Sequence, residues 1–130
     1  MSDYVADTHG LYWYLTADAK LGTKALDAFR QAERGEGTVY VPSIAVAELY
    51  YLMVKQERAH LFAAVYQRLA TAAHIQFVDF RAEAVLEFDD LAAIPEMHDR
   101  MIAAVAQRLG LPCLTCYPEL VNSRLIQTVW

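Results

Sequence analysis

Short runs of β-favouring residues alternate with helical stretches along the chain, and that alternation restricts the fold more than any other feature of the sequence. Tyr4 to Asp7 reads as a first strand and Thr38 to Val41 as a second, entered through the Gly35-Glu36-Gly37 turn. Ile75 to Val78, Cys113 to Thr115 and Ile126 to Val129 read as further strands, the last at an edge. Between them, apolar residues recur at helical spacing over His9 to Thr16, Thr23 to Ala32, Ile44 to Gln56, Leu61 to Ala72, Arg81 to Leu91 and Asp99 to Leu109. Ser43, after Pro42, is a candidate N-cap, and Gly110 stands where a left-handed C-cap residue is expected, with Pro112 just beyond. Strands interleaved with helices predict an α/β fold with a mainly parallel sheet flanked by helices. The 130 residues suit a single domain over 1–130 with one core.

In such sheets, ligands bind beyond the carboxyl ends of the strands. Asp7 ends the first strand, and Glu48 lies a little over one turn past Ser43, in the helix leaving the second. Asp99 opens a helix whose Ile102, Val105, Ala106 and Leu109 face the sheet, and the strand after that helix ends at the same edge. Three carboxylates thus converge among apolar neighbours, where an unpaired charge is costly and like charges repel. A shared hard cation removes both costs, and magnesium prefers oxygen ligands. Asp7, Glu48 and Asp99 are therefore the candidate metal ligands and catalytic residues of a hydrolase acting on phosphate esters. Plainer readings stand beside this one. Asp7 and Asp99 could cap helices, Glu48 could be a solvated helix residue, and Arg100 could pair with Asp99.

Other residues are less telling. His9 and His98 flank two of the acids without a compact zinc-ligand spacing. Cys113 and Cys116 have C-x-x-C spacing, yet in a strand they point to opposite faces, so one core cysteine and one at the strand's end is the expected arrangement. Asp79 ends a strand at the sheet margin, where solvation is expected. Tyr12, Trp13, Tyr14, Tyr50 and Tyr51 could stack on bases, but burial is expected for most of them. A hydrophobic fraction of 56% leaves apolar surface for a partner, and with the aromatic helix Leu11 to Leu15 it predicts a homodimer. The net charge of −5 excludes a broad basic surface for nucleic acid but not a local groove. No apolar run is long enough to span a membrane, and Met1-Ser2-Asp3-Tyr4 lacks the features of a signal peptide, so a cytoplasmic location is expected.

The segments carrying the acids resemble the motifs of PIN domains, in particular the VapC toxins of bacterial toxin–antitoxin pairs. Asp7-Thr8-His9-Gly10-Leu11-Tyr12-Trp13-Tyr14-Leu15 resembles the opening motif, and Val41-Pro42-Ser43-Ile44-Ala45-Val46-Ala47-Glu48-Leu49 the second. Ile94-Pro95-Glu96-Met97-His98-Asp99-Arg100-Met101-Ile102-Ala103-Ala104 is similar to the third and most specific, and the close from Leu111 to Trp130 matches as well. The resemblance implies a PIN-like three-layer fold and a magnesium- or manganese-dependent ribonuclease. It also implies a homodimer inhibited by a small VapB-like antitoxin, with Asp7, Glu48 and Asp99 as metal ligands. One position departs. The family's last strand-end motif, Thr-x-Asp, reads Thr115-Cys116-Tyr117 here, and a neutral phenol is a poor magnesium ligand. Glu96 and Glu119 are the candidate supporting acids.

Two functions follow. The first is an endoribonuclease toxin using a carboxylate-bound cation. The alternative is a PIN-like module that binds RNA or protein with weakened or lost nuclease activity, and Tyr117 is the residue that favours it. A receiver-like or haloacid-dehalogenase-like phosphotransfer domain needs an acidic pair or an Asp-x-Asp nucleophile at the first strand, whereas Thr8-His9 follows Asp7.

Overall fold

The computed structural model, described here for residues 2–130, is built on a five-stranded parallel sheet flanked by helices. Its strands are β1 (Tyr4–Ala6), β2 (Val39–Pro42), β3 (Ile75–Val78), β4 (Cys113–Leu114) and β5 (Thr128–Val129), in spatial order β3-β2-β1-β4-β5. Parallel neighbours need crossovers. These carry α1 (Thr8–Leu15) and α2 (Thr23–Glu33), then α3 (Ser43–Lys55) and α4 (Phe62–Thr71), then α5 (Met97–Leu109), and finally α6 (Pro118–Ser123). The chain winds outward from β1 to β3, then returns to lay β4 on the other side of β1. The carboxyl end of β1 is therefore the point where the winding direction reverses, the place at which open α/β sheets leave a crevice.

Side-chain alternation divides the core between the two faces of the sheet. Ala6, Val39, Val41 and Leu114 join Leu11, Phe29 and Leu49 on one face, while Val5 and Cys113 join Ile102, Val105 and Ala106 of α5 on the other. Val5 is registered against Tyr40 on one side and Cys113 on the other, which fixes β1 as the central strand. A third cluster, Leu91, Ile94, Ala103, Ala104 and Leu120, fastens the irregular segment before α5 and the short α6 to α5 itself.

Several local expectations are corrected. Arg81 to Leu91 is not an α-helix: Ala82–Glu87 forms a 3₁₀ helix and turns follow it. Its backbone bonds are of the shorter i→i+3 kind, as from Phe88 N–H to the Val85 carbonyl. Glu83 and Glu87 would repel at i,i+4 on an α-helix, and Val85 and Leu86 face solvent with nothing to pack against. The helix assigned from Asp99 begins at Met97 with Glu96 as its N-cap. Ser43 does not cap α3, because Pro42 holds that position and the Ser43 hydroxyl accepts from Phe80 N–H at 3.1 Å. The short α6, with Pro118 in its first turn, had no counterpart among the expected helices. Gly110 does take the left-handed conformation at φ 66°. Cys113 is buried in β4 and Cys116 exposed beyond it, both as free thiols. Asp79 is exposed at the end of the edge strand β3.

Phe29 is fully buried and stacks on Tyr14 with ring centroids 3.9 Å apart, joining α2 to α1 over the sheet. Phe29→Ala is expected to cost about 3–5 kcal/mol of stability, read as a lower denaturant midpoint at unchanged slope. A loss under about 1 kcal/mol would mean that the ring does not belong to the core.

Candidate active site

The carboxyl edge of the sheet opens into a cavity of about 460 Å³ whose walls include Asp7, Glu48, Glu96 and Asp99. The fold brings together the three acids expected from the sequence, and Glu96 with them. Asp7 is the first residue past β1 and the N-cap of α1: its Oδ1 accepts from Gly10 N–H at 2.7 Å. Glu48 sits in the second turn of α3, where its Oε1 accepts from the buried Thr8 hydroxyl at 2.9 Å. Asp99 lies in the first turn of α5, and its backbone N–H donates to Glu96 Oε2 at 3.0 Å. The other carboxylate oxygen of Glu96 stands 2.8 Å from His98 Nδ1. Glu119 lines a separate cavity with Pro118 and Asn122 rather than this one.

Two of the plain readings acquire definite answers. Asp7 does cap a helix, and does so while lining the cavity. Arg100 does not pair with Asp99, because its guanidinium donates to the carbonyls of Ile94 and Ala92 instead. It thereby fastens the loop that delivers Glu96 and Asp99. His9 is exposed and packs against Trp13, with ring centroids 5.3 Å apart.

Charge is held here at a cost. Burial pushes the Asp7 carboxyl above its ordinary value; the Thr115 hydroxyl and Gly10 N–H offset part of that, and Glu48 adds repulsion. Asp99 rises to about 6, first through burial and then through the fields of Glu96, Glu48, Asp7 and Glu119. Tyr117, on the cavity wall, has its phenol pushed up by Asp99 and then Glu119, so it stays neutral at physiological pH. Among the described residues, Asp99 Oδ2 is the one buried side-chain oxygen or nitrogen with no hydrogen-bond partner. Native structures rarely leave such an atom without a partner, whether a protein group, a water or an ion.

These donors suit a hard cation in their chemistry: they are carboxylate oxygens, mutually repelling, one of them orphaned. They do not form a closed cage. Among the described residues, no three His, Cys, Asp or Glu side chains stand close enough together to hold an ion directly. Asp7 and Glu48 are each turned to a hydrogen-bond donor of α1. A hard divalent cation held by one or two of these carboxylates would complete its coordination with waters.

The sequence reading missed the residues that orient the acids. Thr8 and Thr115 are both buried. The Thr115 hydroxyl also accepts from Tyr117 N–H at 3.0 Å, which links the departing position to Asp7. Lys55, in the last turn of α3, lines the cavity and was missed too. Its spacing of seven from Glu48 on one helix was the available signal.

A profile of the PIN domain matches residues 4–118. The chain belongs to the PIN-domain family. Among solved structures it is similar to VapBC2 from Rickettsia felis bound to a DNA fragment from their promoter, at 16% identity and TM-score 0.72, covering 98% of this chain and 97% of that one. It is also similar to DNA-bound VapBC from Salmonella typhimurium, at 19% identity and TM-score 0.70, covering 99% and 98%. A third is VapC20 of Mycobacterium tuberculosis, a sarcin-ricin loop cleaving toxin, at 15% identity and TM-score 0.68, covering 97% and 98%. At these identities the TM-scores show a shared fold alone. No curated protein matches the sequence.

The raised carboxyl of this PIN domain makes its stability pH-dependent. Folded, Asp99 keeps its proton to about pH 6, whereas an unperturbed Asp loses it near 3.8. The folded state therefore binds more protons in that window, so stability in metal-free buffer falls as pH rises through it and the deficit persists above. Asp7, shifted in the same direction, adds to the fall. Asp99→Asn is expected to flatten the profile and to be the more stable protein at pH 7.5. Denaturant titrations across the window check this, and parallel profiles for the two proteins would refute it.

Proposed function

We propose that this chain is a VapC-like endoribonuclease that acts with magnesium or manganese held by Asp7, Glu48 and Asp99, and that it works as one PIN-like domain over 1–130. The observation that carries the reading is the orphaned, buried Asp99 Oδ2 in a cavity shared with Asp7, Glu48 and Glu96. Family membership and the VapC toxins among its structural neighbours support it.

A bound divalent cation supplies charge neutralisation for a phosphodiester and a water of lowered pKa. The chain's own residues prepare that site. Gly10 N–H and the Thr115 hydroxyl orient Asp7, and the Thr8 hydroxyl orients Glu48. Glu96 caps α5 and so sets the position of Asp99. Lys55 offers a positive charge to a phosphate entering the cavity. Asp7→Asn and Asp99→Asn are each expected to lower RNA cleavage by at least about a hundredfold and to weaken magnesium binding in calorimetry. Unchanged calorimetric binding in both variants would remove the three-acid site.

Tyr117 sustains the second reading, a PIN-like module that binds RNA or protein with weakened activity. The phenol faces the cavity where the family carries a carboxylate, and among the described residues no three acidic or histidine side chains close into a cage. Tyr117→Asp is expected to tighten magnesium binding, because an added anion beside a cation is a large local electrostatic change. It should also raise the cleavage rate. If Glu96 already serves as the fourth acid, Tyr117→Asp changes little and Glu96→Gln lowers activity. If the natural chain cuts no RNA and Tyr117→Asp does, the natural protein is the binding module.

A homodimer, inhibited by a small VapB-like antitoxin in the cytoplasm, completes the proposal. Several VapBC complexes are structural neighbours, and among the described residues no helix is long and apolar enough to cross a membrane. The apolar surface suited to partners lies elsewhere than expected. In the aromatic helix α1, Leu11 and Tyr12 are buried, while Tyr50, Tyr51, Val54, Leu61 and Tyr66 are exposed on α3, α4 and the turn between them.

A further inference from the structure

A second cavity, of about 370 Å³, adjoins the acidic one and has the opposite character. His9 and Leu52 line both. The second is walled by His9 and Trp13 and carries Lys20, Gln56 and Arg58. Lys20 Nζ stands 5.8 Å from the centroid of the Trp13 ring, and Arg58 Nη1 donates to Tyr12 Oη at 3.0 Å. Asp18 also lines this cavity, but its Oδ1 is engaged by the Lys20 backbone N–H at 2.9 Å. Among the described residues, no carboxylate forms a salt bridge with Lys20, Lys55 or Arg58. In a chain of net charge −5, three free cations thus gather around one crevice.

The backbone is built to place them. Ala17 and Glu57 hold positive φ of 52° and 57°, a conformation that side chains other than glycine rarely adopt. Both follow helices that end in the same motif: Asp18 N–H bonds to the Trp13 carbonyl at 2.9 Å, and Arg58 N–H to the Met53 carbonyl at 2.7 Å. These two left-handed turns terminate α1 and α3, and they deliver Asp18, Lys20 and Arg58 to one cavity. Strained positions of this kind persist where the placement they give is used.

We infer that this second cavity is the subsite for the nucleotide next to the scissile phosphate of a single-stranded RNA. His9 and Trp13 form its stacking wall, and Lys20 and Arg58 hold its phosphate. The inference rests on the nuclease reading of the adjoining site. An unpaired base presents a face for aromatic stacking and edges that the Gln56 amide can meet with donor and acceptor together. A phosphate matches the two cations, and Lys20 has only an exposed cation–π contact to give up. Double-stranded RNA offers no free base to such a pocket.

The test uses a short single-stranded RNA in buffer kept free of divalent ions by a chelator, so that metal-dependent cleavage cannot proceed. Because Trp13 and Trp130 are the two tryptophans, Trp130→Phe leaves Trp13 as the sole reporter. RNA is expected to quench its fluorescence, whereas a duplex of the same sequence does so weakly. Lys20→Ala and Arg58→Gln, both at exposed positions, are each expected to weaken binding about tenfold. Each should also lower the slope of log affinity against log salt by about 0.7, the release of one single-strand phosphate contact. Unchanged affinity and slope in both variants, or no binding of this RNA by the native chain, would overturn the subsite. Asp99→Asn, measured beside them, separates the two claims. If none of the proteins cleaves RNA yet binding depends on Lys20 and Arg58, the nuclease reading falls, and the cavity stands as a nucleotide-binding site without a scissile phosphate beside it. If Asp99→Asn abolishes cleavage while Lys20→Ala and Arg58→Gln bind and cut as the native chain does, the subsite falls alone.

Discussion

A charged residue follows directly on a strand buried on both faces, and the geometry of the crevice depends on how that charge is accommodated. Val5 and Ala6 are fully buried, and Asp7, the next residue, is only 6% exposed. A carboxylate so placed must be met by donors or a cation. Half of the answer is α1 itself, which presents Gly10 N–H and its positive dipole end to the carboxylate. The close approach needs a glycine: a Cβ at residue 10 would stand 2.9 Å from Asp7 Oδ1 and 3.1 Å from the Leu114 carbonyl. Strand end, helix start and the neighbouring strand β4 are thus locked together by one backbone contact that tolerates no side chain.

The remaining acids are arranged so that they repel one another. Glu96 caps α5 with one oxygen and meets His98 with the other, which brings a third charge near Asp99. Arg100, the nearest cation in sequence, is turned away to the carbonyls of residues 92 and 94. A fold selected for stability alone would turn it toward Asp99. With its guanidinium bonded to loop carbonyls, Arg100 leaves Asp99 Oδ2 without a hydrogen-bond partner among the described residues.

The parts of the fold that were legible in the sequence are those where local pattern and tertiary packing agree. β3 was readable to the residue, and α2, α3 and α5 to within a few, because each carries an uninterrupted apolar face or run toward the sheet. The stretch from Arg81 to Ile94, with its 3₁₀ helix at Ala82–Glu87, was not, since its apolar residues divide: Leu91 and Ile94 go inward while Val85 and Leu86 stay out. Helical periodicity cannot register that division. Asp7, Glu48 and Asp99 could be placed at one edge because strand ends and helix starts are one-dimensional features. The rotamers of those acids, the hydroxyls that orient them and the pairing of Arg100 depend on contacts across tens of residues, as between Thr8 and Glu48, and no local pattern encodes them.

A chain of net charge −5 that is to act on a polyanion faces repulsion at a distance and needs attraction at contact. Screening reconciles the two, because at physiological salt charges beyond about 8 Å are largely masked. What a nucleic acid strand meets in the crevice is then set by the groups lining it. On one side these are mutually repelling acids, and on the other Lys20 and Arg58, with Lys55 on the wall of the acidic cavity itself. Under the proposed function, the acidic half repels a phosphate until a divalent ion is present, and the basic half attracts one regardless. Raising salt therefore weakens the two terms in opposite directions. It relaxes the repulsion from the acids and removes the counterion-release gain at Lys20 and Arg58. The neutral phenol at Tyr117 tilts this balance, since a fourth carboxylate would deepen the repulsion felt by metal-free protein while improving the hold on an ion. Under the proposed function, charge at that one position would trade affinity for the strand against affinity for the metal, which would tie the departure from the family pattern to the neighbouring cavity that carries Lys20 and Arg58.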